Sequence, residues 1–501
     1  MENFNDKSFK NGINSLSVSK TQVNQGSILS RRKFMEKSLL GGAGILGSYG
    51  LMAGPLNVSR KIAPSDKLVL GVMGLGGRNC FLIEEFIKQG AEIAYICDVD
   101  SRRFENGLRA CRGDSWEAKT PQDYRWVSDS VGQKRVPKTT QDFRRLLDDK
   151  DINAMIISPG THWAPLGTIM ACQAGKDVYV EKPLSANVYE GRKMVEAARK
   201  YKKIVQVGAQ NRSGKYHEKA IDFLKAGNIG KVHYIRVLNM LNGRLGSPGP
   251  YPEMPVPKEV DYDMWCGPAP KRPYNPKKTA PGVWRYHWEY SGSDSESIHQ
   301  LDVARWVASA LSGLEYPRSV YSLGNVRYPD RVADVPDSLK AVYDYGDITM
   351  SLEVDWWTSL IKVPHEIRWS DTQFPDWQFL GTRIEIYGTK GMMYLGRHGG
   401  GWQAFDEKGE LMASLKGVMP IKEHIADFMD CVKTRELPNG DIEKAHISQS
   451  ISHMAYISYR TGNQLLKIDS ATETFGDNKE ANALLSRPDG GRAPWKIPVK
   501  V

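Results

Sequence analysis

Three short segments of the sequence carry side chains that can take part in chemistry. The first is the glycine-rich run Gly74-Leu75-Gly76-Gly77-Arg78-Asn79, the second is Glu181-Lys182-Pro183, and the third places His299 three residues before Asp302. Glycines between a strand and a helix let the backbone approach a pyrophosphate, while lysine and histidine side chains can accept or donate a proton. The combination indicates a bound nucleotide beside a proton-transfer site.

The glycine-rich run lies between an apolar segment and an amphipathic one, as nucleotide-binding turns do, although plain turns also contain glycine. Asp98 supports nucleotide binding, because it ends the next predicted strand 22 residues after Gly76, where a carboxylate would bind ribose hydroxyls and repel a 2′-phosphate. NAD is therefore favoured over NADP, although Arg102 and Arg103 are close enough to hold a phosphate. The residues expected to line the cofactor site are Gly74, Gly76, Gly77, Arg78, Asn79, Asp98, Pro159, Glu181 and Lys182.

Lys182 ends the predicted strand KDVYVEKP (176–183), at the carboxyl edge where open α/β sheets bind ligands. A lysine at that position can also be an ordinary solvated charge. Beside an oxidised nicotinamide, however, the ammonium form is disfavoured, and the side chain can then accept a proton from a hydroxyl.

His299 and Asp302 are neighbours on the first turn of a predicted helix within SGSDSESIHQLDVARWVASAL (291–311). The alternative to catalysis is a capping histidine beside a solvated pair of Asp302 and Arg305. Trp284 and Tyr286 precede this segment in an aromatic group that is either a wall for a sugar or part of the core.

The elements that position these residues follow from the alternation of apolar strands and amphipathic helices that begins at Lys67. Strands at KLVLGVMGLG, AEIAYICDVD, INAMIISPG and KDVYVEKP, with helices between them, predict a doubly wound parallel sheet of four strands before Pro183. Alternating strands and two long helices, near Ile421 to Thr434 and Glu443 to Leu466, predict a second, α+β domain. The expected domains are residues 64–186 and 187–501, after a leader over residues 1–63.

Composition excludes several classes of protein. The chain has 501 residues, of which 41% are hydrophobic and 25% charged, so it is neither disordered throughout nor a coiled coil. Half of its net charge of +10 lies in residues 1–60, which hold 8 basic and 3 acidic residues, so nucleic-acid binding is not expected. The six cysteines lack paired spacing, so neither a metal site nor a disulfide framework is expected, and no stretch has the character of a resident membrane span.

The leader contains Ser30-Arg31-Arg32-Lys33-Phe34-Met35 followed by a weakly apolar, glycine-rich run from Ser38 to Gly54. Adjacent arginines before a short apolar run that ends in small residues are typical of a twin-arginine export signal. We therefore expect export to the periplasm, with a disordered basic tail as the alternative.

The order of the glycine-rich turn, Asp98, Glu181-Lys182-Pro183 and the segment from His299 to Trp306 resembles the Gfo/Idh/MocA oxidoreductases over about residues 66–500. Other segments resemble the exported bacterial branch of that family: ACQAGKDVYVEKPLS (171–185), VQVGAQNRSG (205–214), GNIGKV (227–232), WCGPAP (265–270), YGTKG (387–391), FGDNKEAN (475–482) and APW (493–495). The resemblance implies a Rossmann-like domain and a C-terminal domain with a large, mostly antiparallel sheet. It also implies a sugar or polyol bound between the domains, and a homo-oligomer formed through the C-terminal sheet.

By this resemblance Lys182 and His299 match the catalytic lysine and histidine of the family. Many members carry an aspartate four residues before that histidine, where this chain has Ser295. A serine cannot act as a carboxylate, so either a neighbour replaces it or proton transfer rests on Lys182 and His299. The candidates for substrate contact are Asp294, Ser295, Glu296, Asp302, Trp284 and Tyr286.

The expected function is hydride transfer from a carbinol carbon of a sugar or glycoside to tightly bound NAD. The resemblance also allows an exported glycoside hydrolase that oxidises its substrate transiently, since the family contains such enzymes. The segment around His299 lacks the Tyr-Pro-Thr-His-Gly pattern of that glycosidase branch, which favours the oxidoreductase. A sugar-binding module without turnover is a third possibility, weakened by the presence of both Lys182 and His299.

Replacing Arg31 and Arg32 together by Lys should retain the protein in the cytoplasm, because the twin-arginine route reads the arginine pair and not only the apolar run. Cell fractionation with an antibody against the protein measures the distribution. Unchanged export of the double variant would point to a different signal.

Overall fold

The computed structural model describes residues 67–114, 131–241, 251–279, 284, 287–293, 296–326, 334–358 and 360–501. The predicted export signal, Tyr286, Asp294 and Ser295 lie outside the described residues. In the described part of the chain, no helix combines the length and apolar character needed to cross a membrane.

Six parallel strands form the first sheet, in the order β3-β2-β1-β4-β5-β6 of a doubly wound dinucleotide fold. The central strands are apolar because helices cover both faces of the sheet, and β4 and β5 are buried along their whole length. This confirms the predicted fold class. The strands are β1 (Val69–Met73), β2 (Glu92–Cys97), β3 (Lys138–Thr140), β4 (Ala154–Ile157), β5 (Asp177–Val180) and β6 (Val205–Val207).

The helices of this part of the chain connect successive strands. Helix α1 buries Phe81, Leu82 and Phe86 on one face, which packs on the sheet. The bounds are α1 (Gly77–Lys88), α2 (Phe104–Arg112), α3 (Arg144–Asp148), α4 (Ala164–Gln173) and α5 (Val188–Lys200).

Two features of the first domain differ from the sequence prediction. The prediction of four strands before Pro183 missed β3, a three-residue edge strand with two exposed side chains and no apolar signal. The boundary expected at residue 186 falls inside the parallel sheet, because β6 pairs with β5. The chain also returns to this domain near its end, where Phe428 packs on Tyr179 and Trp495 packs on Trp163.

Nine strands form the second sheet, in the order β14-β13-β12-β11-β7-β10-β9-β8-β15. Its pairs are antiparallel except that of β7 with β10, as expected for a mostly antiparallel sheet. The strands are β7 (Val232–Met240), β8 (Ser319–Asn325), β9 (Ser338–Asp344), β10 (Thr349–Asp355), β11 (Arg383–Gly388), β12 (Gly391–Gly396), β13 (Trp402–Asp406), β14 (Leu411–Leu415) and β15 (Leu466–Lys467).

Of the remaining helices, α10 and α13 pack on this sheet, while α12 packs on the first domain. The helix predicted to reach Leu466 ends at Arg460, where Thr461 and Gly462 turn the chain into β15. The bounds are α6 (Lys215–Lys225), α7 (Tyr262–Cys266), α8 (Pro276–Thr279), α9 (Trp288–Ser291), α10 (Ile298–Ser312), α11 (His365–Trp369), α12 (Ile421–Thr434), α13 (Ile442–Arg460) and α14 (Lys479–Ala483).

A buried ion pair ties the segment after β6 to α10. Both side chains are almost fully buried, and the Arg212 guanidinium donates to the Asp302 carboxylate at 2.6 to 3.0 Å. Ser448 of α13 donates to the same carboxylate at 2.5 Å. The solvated pair of Asp302 and Arg305, considered from the sequence as part of the alternative to catalysis, does not form: Arg305 instead bonds Ser448 and Glu315.

Asp302→Asn should lower the free energy of unfolding by about 3–5 kcal/mol, because it leaves the Arg212 guanidinium buried without a counter-charge. Urea unfolding followed by circular dichroism measures the change. The matched control is Asp347→Asn, which breaks the exposed pair of Asp347 and Lys231 and should leave the midpoint nearly unchanged. Equal midpoints for the two variants would contradict the stabilising role of the buried pair.

Candidate active site

The turn between β1 and α1 has the form of a pyrophosphate cradle. Gly74 has φ +91°, and an added Cβ would lie 2.9 Å from the Ser158 carbonyl oxygen and 3.2 Å from the Pro159 nitrogen, so glycine is required there. Gly76 precedes α1, and a Cβ at Gly76 would meet no described atom within 4 Å. The N–H groups in the first turn of a helix suit an anion, so this turn fits a dinucleotide.

Two polar side chains fix this turn. Asp98, at the carboxyl end of β2, accepts hydrogen bonds from the N–H groups of Leu75 (2.7 Å) and Asp100 (2.9 Å), and burial raises the pKa of its carboxyl group. Asn79 donates from Nδ2 to the carbonyl oxygens of Met73 (2.9 Å) and Gly74 (2.5 Å). Asn79 stands at the last glycine position of the dinucleotide-binding pattern G-x-G-x-x-G, and its side chain holds the turn to the end of β1.

Glu181 joins the turn to the segment after β5 that carries Lys182. Its Oε1 accepts hydrogen bonds from Arg78 at 2.7 and 2.9 Å and from Gln210 at 3.1 Å. A Cβ at Gly208 would lie 2.5 Å from the same oxygen, so glycine is needed to admit the carboxylate. Arg78 and Glu181, both predicted to bind cofactor, are thus paired with each other.

Lys182, Glu296 and His299 come together at the carboxyl edge of the first sheet. Lys182 Nζ lies 3.7 Å from Glu296 Oε1, and both side chains are largely buried. His299 is buried on the first turn of α10. Burial, followed by the positive charges of Lys182 and Arg397, holds the pKa of His299 well below its usual range. At neutral pH His299 is therefore an uncharged imidazole with a nitrogen that can accept a proton.

Three residues that complete this group were not predicted from the sequence. Arg397 and His398 follow β12, and Lys362 lies in the loop before α11. Glu296 Oε2 lies 3.5 Å from Arg397 and 3.7 Å from Lys362, and the ring of His398 lies 4.1 Å from that of His299, centroid to centroid. The signal in the sequence is Arg397-His398 directly before three consecutive glycines.

The other predicted substrate contacts divide between core and neighbouring loops. Asp302 is engaged by Arg212, as described above. Trp284 lies against the buried ring of His162, at a centroid distance of 6.0 Å. His162 Nε2 bonds the Trp265 carbonyl oxygen, and burial lowers the pKa of His162 to about 3. Trp284 therefore packs against another side chain of the protein, that of His162. Tyr286 lies outside the described residues.

Within the described ranges, one group of side chains has the spacing of metal ligands: His287, Glu289 and Asp334, whose ligand atoms lie within 4.8 Å of one another. Arg272 contacts Glu289, and His287 Nδ1 lies 3.5 Å from Asp334 Oδ2. Arg272 therefore already balances negative charge in this cluster. The cluster itself was not predicted from the sequence.

Comparison with known proteins agrees with this geometry. The model of the oxidoreductase family NAD-binding Rossmann fold matches residues 68–209, and that of the family's C-terminal alpha/beta domain matches residues 248–310 and 386–497. The chain belongs to the Gfo/Idh/MocA oxidoreductase family. The matched N-terminal model is that of an NAD-binding Rossmann fold, so the cofactor is NAD.

Individual relatives of this Gfo/Idh/MocA protein are distant. The chain is 28% identical to myo-inositol 2-dehydrogenase of Thermotoga maritima over 41% of its own length and 50% of that protein. It is 25% identical to a glycosyl hydrolase family 109 protein of Shewanella pealeana over 41% of its own length and 44% of that protein. The chain thus spans about half the length of these curated relatives. Levoglucosan dehydrogenase, solved with NADH and levoglucosan, shares the fold with a TM-score of 0.56 and 15% identity, over 80% of this chain and 99% of that one.

Lys182→Ala and His299→Ala should each lower turnover by on the order of 10²–10⁴ while NAD stays bound, because each removes a group at the reacting centre and neither touches the glycine-rich turn. Turnover is measured with methyl β-D-glucopyranoside and D-fructose as acceptor, and bound NAD by chromatography after acid quenching. Full activity of Lys182→Ala would contradict its assignment. Recovery of NADP alone from the parent protein would contradict the role given to Asp98.

Proposed function

We propose that the protein is an NAD-dependent oxidoreductase that acts on a carbinol carbon of a sugar or glycoside. The observation that carries the proposal is the meeting of Lys182, Glu296 and His299 at the carboxyl edge of an NAD-binding sheet. NAD, when bound, supplies the acceptor for the hydride of that carbon.

The side chains supply proton transfer, hydrogen bonding and a carboxylate. The neutral imidazole of His299 accepts the hydroxyl proton as the carbinol carbon is oxidised, and Lys182 donates a hydrogen bond to the same oxygen. Glu296 stands in for the family carboxylate missing at Ser295, because its carboxylate approaches Lys182 from the segment just before α10. Burial of these groups strengthens each electrostatic interaction among them.

The second candidate is a glycoside hydrolase of the redox-assisted kind. In that reaction oxidation of the carbinol is transient: a proton leaves the neighbouring carbon, the aglycone is expelled, water adds, and the carbonyl is reduced again. The similarity to the glycosyl hydrolase family 109 protein favours it, as does the presence of a second imidazole, that of His398, beside His299.

The proposal includes export, which is supported by the arginine pair Arg31 and Arg32.

The proposal also includes assembly of identical chains through the second sheet. Tyr321, Leu323 and Val342 are exposed on neighbouring strands β8 and β9, opposite the face that packs on α13. An apolar patch of this kind suits burial against a second copy. A monomer by analytical ultracentrifugation would contradict the assembly.

Methyl β-D-glucopyranoside incubated in D₂O with the NAD-loaded protein and D-fructose should give a keto glucoside and no free methanol. A plain oxidoreductase breaks the carbinol C–H bond and leaves the glycosidic bond intact, whereas the hydrolase must also exchange the neighbouring hydrogen with solvent. Mass spectrometry and proton NMR of the products measure both outcomes, with Lys182→Ala as the inactive control. Methanol release with deuterium at C2, and no keto glucoside, would favour the hydrolase.

A further inference from the structure

Arg397 is a buried guanidinium with few hydrogen bonds. Its side chain is only 7% exposed, and its bond to a described residue is a long one, from Nη2 to Glu296 Oε2 at 3.5 Å. Its Nε is buried and makes no hydrogen bond to any described residue. A buried donor left without a partner is unfavourable, so a ligand that accepts from this side chain would recover that free energy on binding.

Glu296 does not satisfy Arg397, because it is shared among three cations. Lys182, Lys362 and Arg397 lie at 3.5 to 3.7 Å from its oxygens. A satisfied buried pair in the same protein, Arg212 with Asp302, has distances of 2.6 to 3.0 Å. Within the part of the site that the structure describes, positive charge therefore exceeds negative charge beside the predicted substrate position.

The neighbouring His398 also has a buried polar atom without a hydrogen bond to a described residue. It is buried, its Nε2 makes no hydrogen bond to a described residue, and its ring contacts His299. Burial and the adjacent His299 and Arg397 hold the pKa of His398 well below its usual range, so the ring is neutral and one of its nitrogens can donate. Two successive residues thus bring unused polar atoms to one place.

The backbone directly after these two residues is tightly constrained. Gly399, Gly400 and Gly401 have φ of +88°, +80° and +64°, and a Cβ at Gly399 would lie 2.8 Å from the Arg368 backbone. The Gly399 N–H donates to the Tyr216 hydroxyl at 3.1 Å. Because the Arg397 side chain is itself buried, it loses little freedom when it binds a ligand.

We propose that Arg397 and His398 form a subsite for the carboxylate of an acidic sugar, which makes uronic acids and their glycosides the substrate class. The planar guanidinium fork matches the two oxygens of a carboxylate, and His398 adds one further donor. The inference rests on the proposed function, because it assumes that a sugar lies between Lys182 and this subsite. A sugar phosphate offers similar chemistry and is the other source that the experiment must separate.

Isothermal titration calorimetry of the NAD-loaded protein tests the subsite without requiring turnover. The probes are methyl β-D-glucopyranosiduronate, methyl β-D-glucopyranoside and glucose 6-phosphate. We expect the uronide to bind at least about tenfold more tightly than the neutral glycoside, the usual scale of one charge-assisted bond, of about 1.5–3 kcal/mol, to a ligand. Arg397→Gln should reduce this ratio to below about threefold, and the exposed-site control Arg145→Gln should leave it unchanged.

Arg397→Lys decides the case if Arg397→Gln loses NAD or fails to fold, because it keeps the charge and removes the fork. A reduced preference in Arg397→Lys with NAD retained supports bidentate binding of the carboxylate. The subsite is overturned by equal affinity for uronide and glycoside, by undetectable binding of both, by tighter binding of the phosphate, or by a full preference in both Arg397 variants. Oxidation of the neutral glycoside with no uronide preference would leave the proposed function standing and remove only the subsite.

Discussion

The carboxylate of Glu181 is the contact on which the geometry of the site depends. It accepts from Arg78 of the glycine-rich turn and from Gln210 after β6, and it is adjacent in sequence to Lys182. Gln210 begins the short helical segment that carries Arg212, whose buried bond to Asp302 positions α10 and therefore His299. One chain of charge-assisted bonds thus relates the cofactor turn, the lysine and the histidine to one another.

The electrostatic character of the site follows from where the cations lie. Burial most of all, and then the charges of Lys182, Arg397, Arg78 and Arg368, lower the pKa of His299. The imidazole is therefore uncharged at neutral pH and has a nitrogen free to accept a proton, but protonation places one more positive charge among cations. Any carboxylate entering the site therefore lowers the cost of protonating that imidazole.

The sequence allows prediction of the first sheet and of the motif residues, because both have local signals. Strands β1, β4 and β5 are apolar runs, and Asp98 and Lys182 are placed by their distance from the glycine-rich turn and the strand end. Strand β3 has no such signal, since its short edge position leaves two of its three side chains exposed. The partner of Asp302 was missed because Arg212 is 90 residues away, and only the packing of α10 brings the two together.

Arg397 and His398 could not be placed for a related reason. They belong to a loop after an antiparallel strand, nearly 100 residues beyond His299, and nothing local says which way that loop faces. Likewise the spacing before His299 leaves open which acidic neighbour replaces the family aspartate, because the backbone just before a helix does not follow the helical period. Contacts with Lys182, Lys362 and Arg397 are what distinguish Glu296.

The sharing of Glu296 among three cations has a consequence for the order of events at the site. A substrate carboxylate bound to Arg397 would replace Glu296 as the partner of that guanidinium and leave Glu296 to Lys182 and Lys362. Attraction between opposite charges rises as their separation falls, so the pair of Lys182 and Glu296 would tighten from its present 3.7 Å. If the proposed subsite is occupied by the carboxylate of an acidic sugar, that sugar therefore strengthens the pair of Lys182 and Glu296 beside its own reacting carbon. When a neutral sugar of the same shape is bound, Glu296 is still shared among Lys182, Lys362 and Arg397.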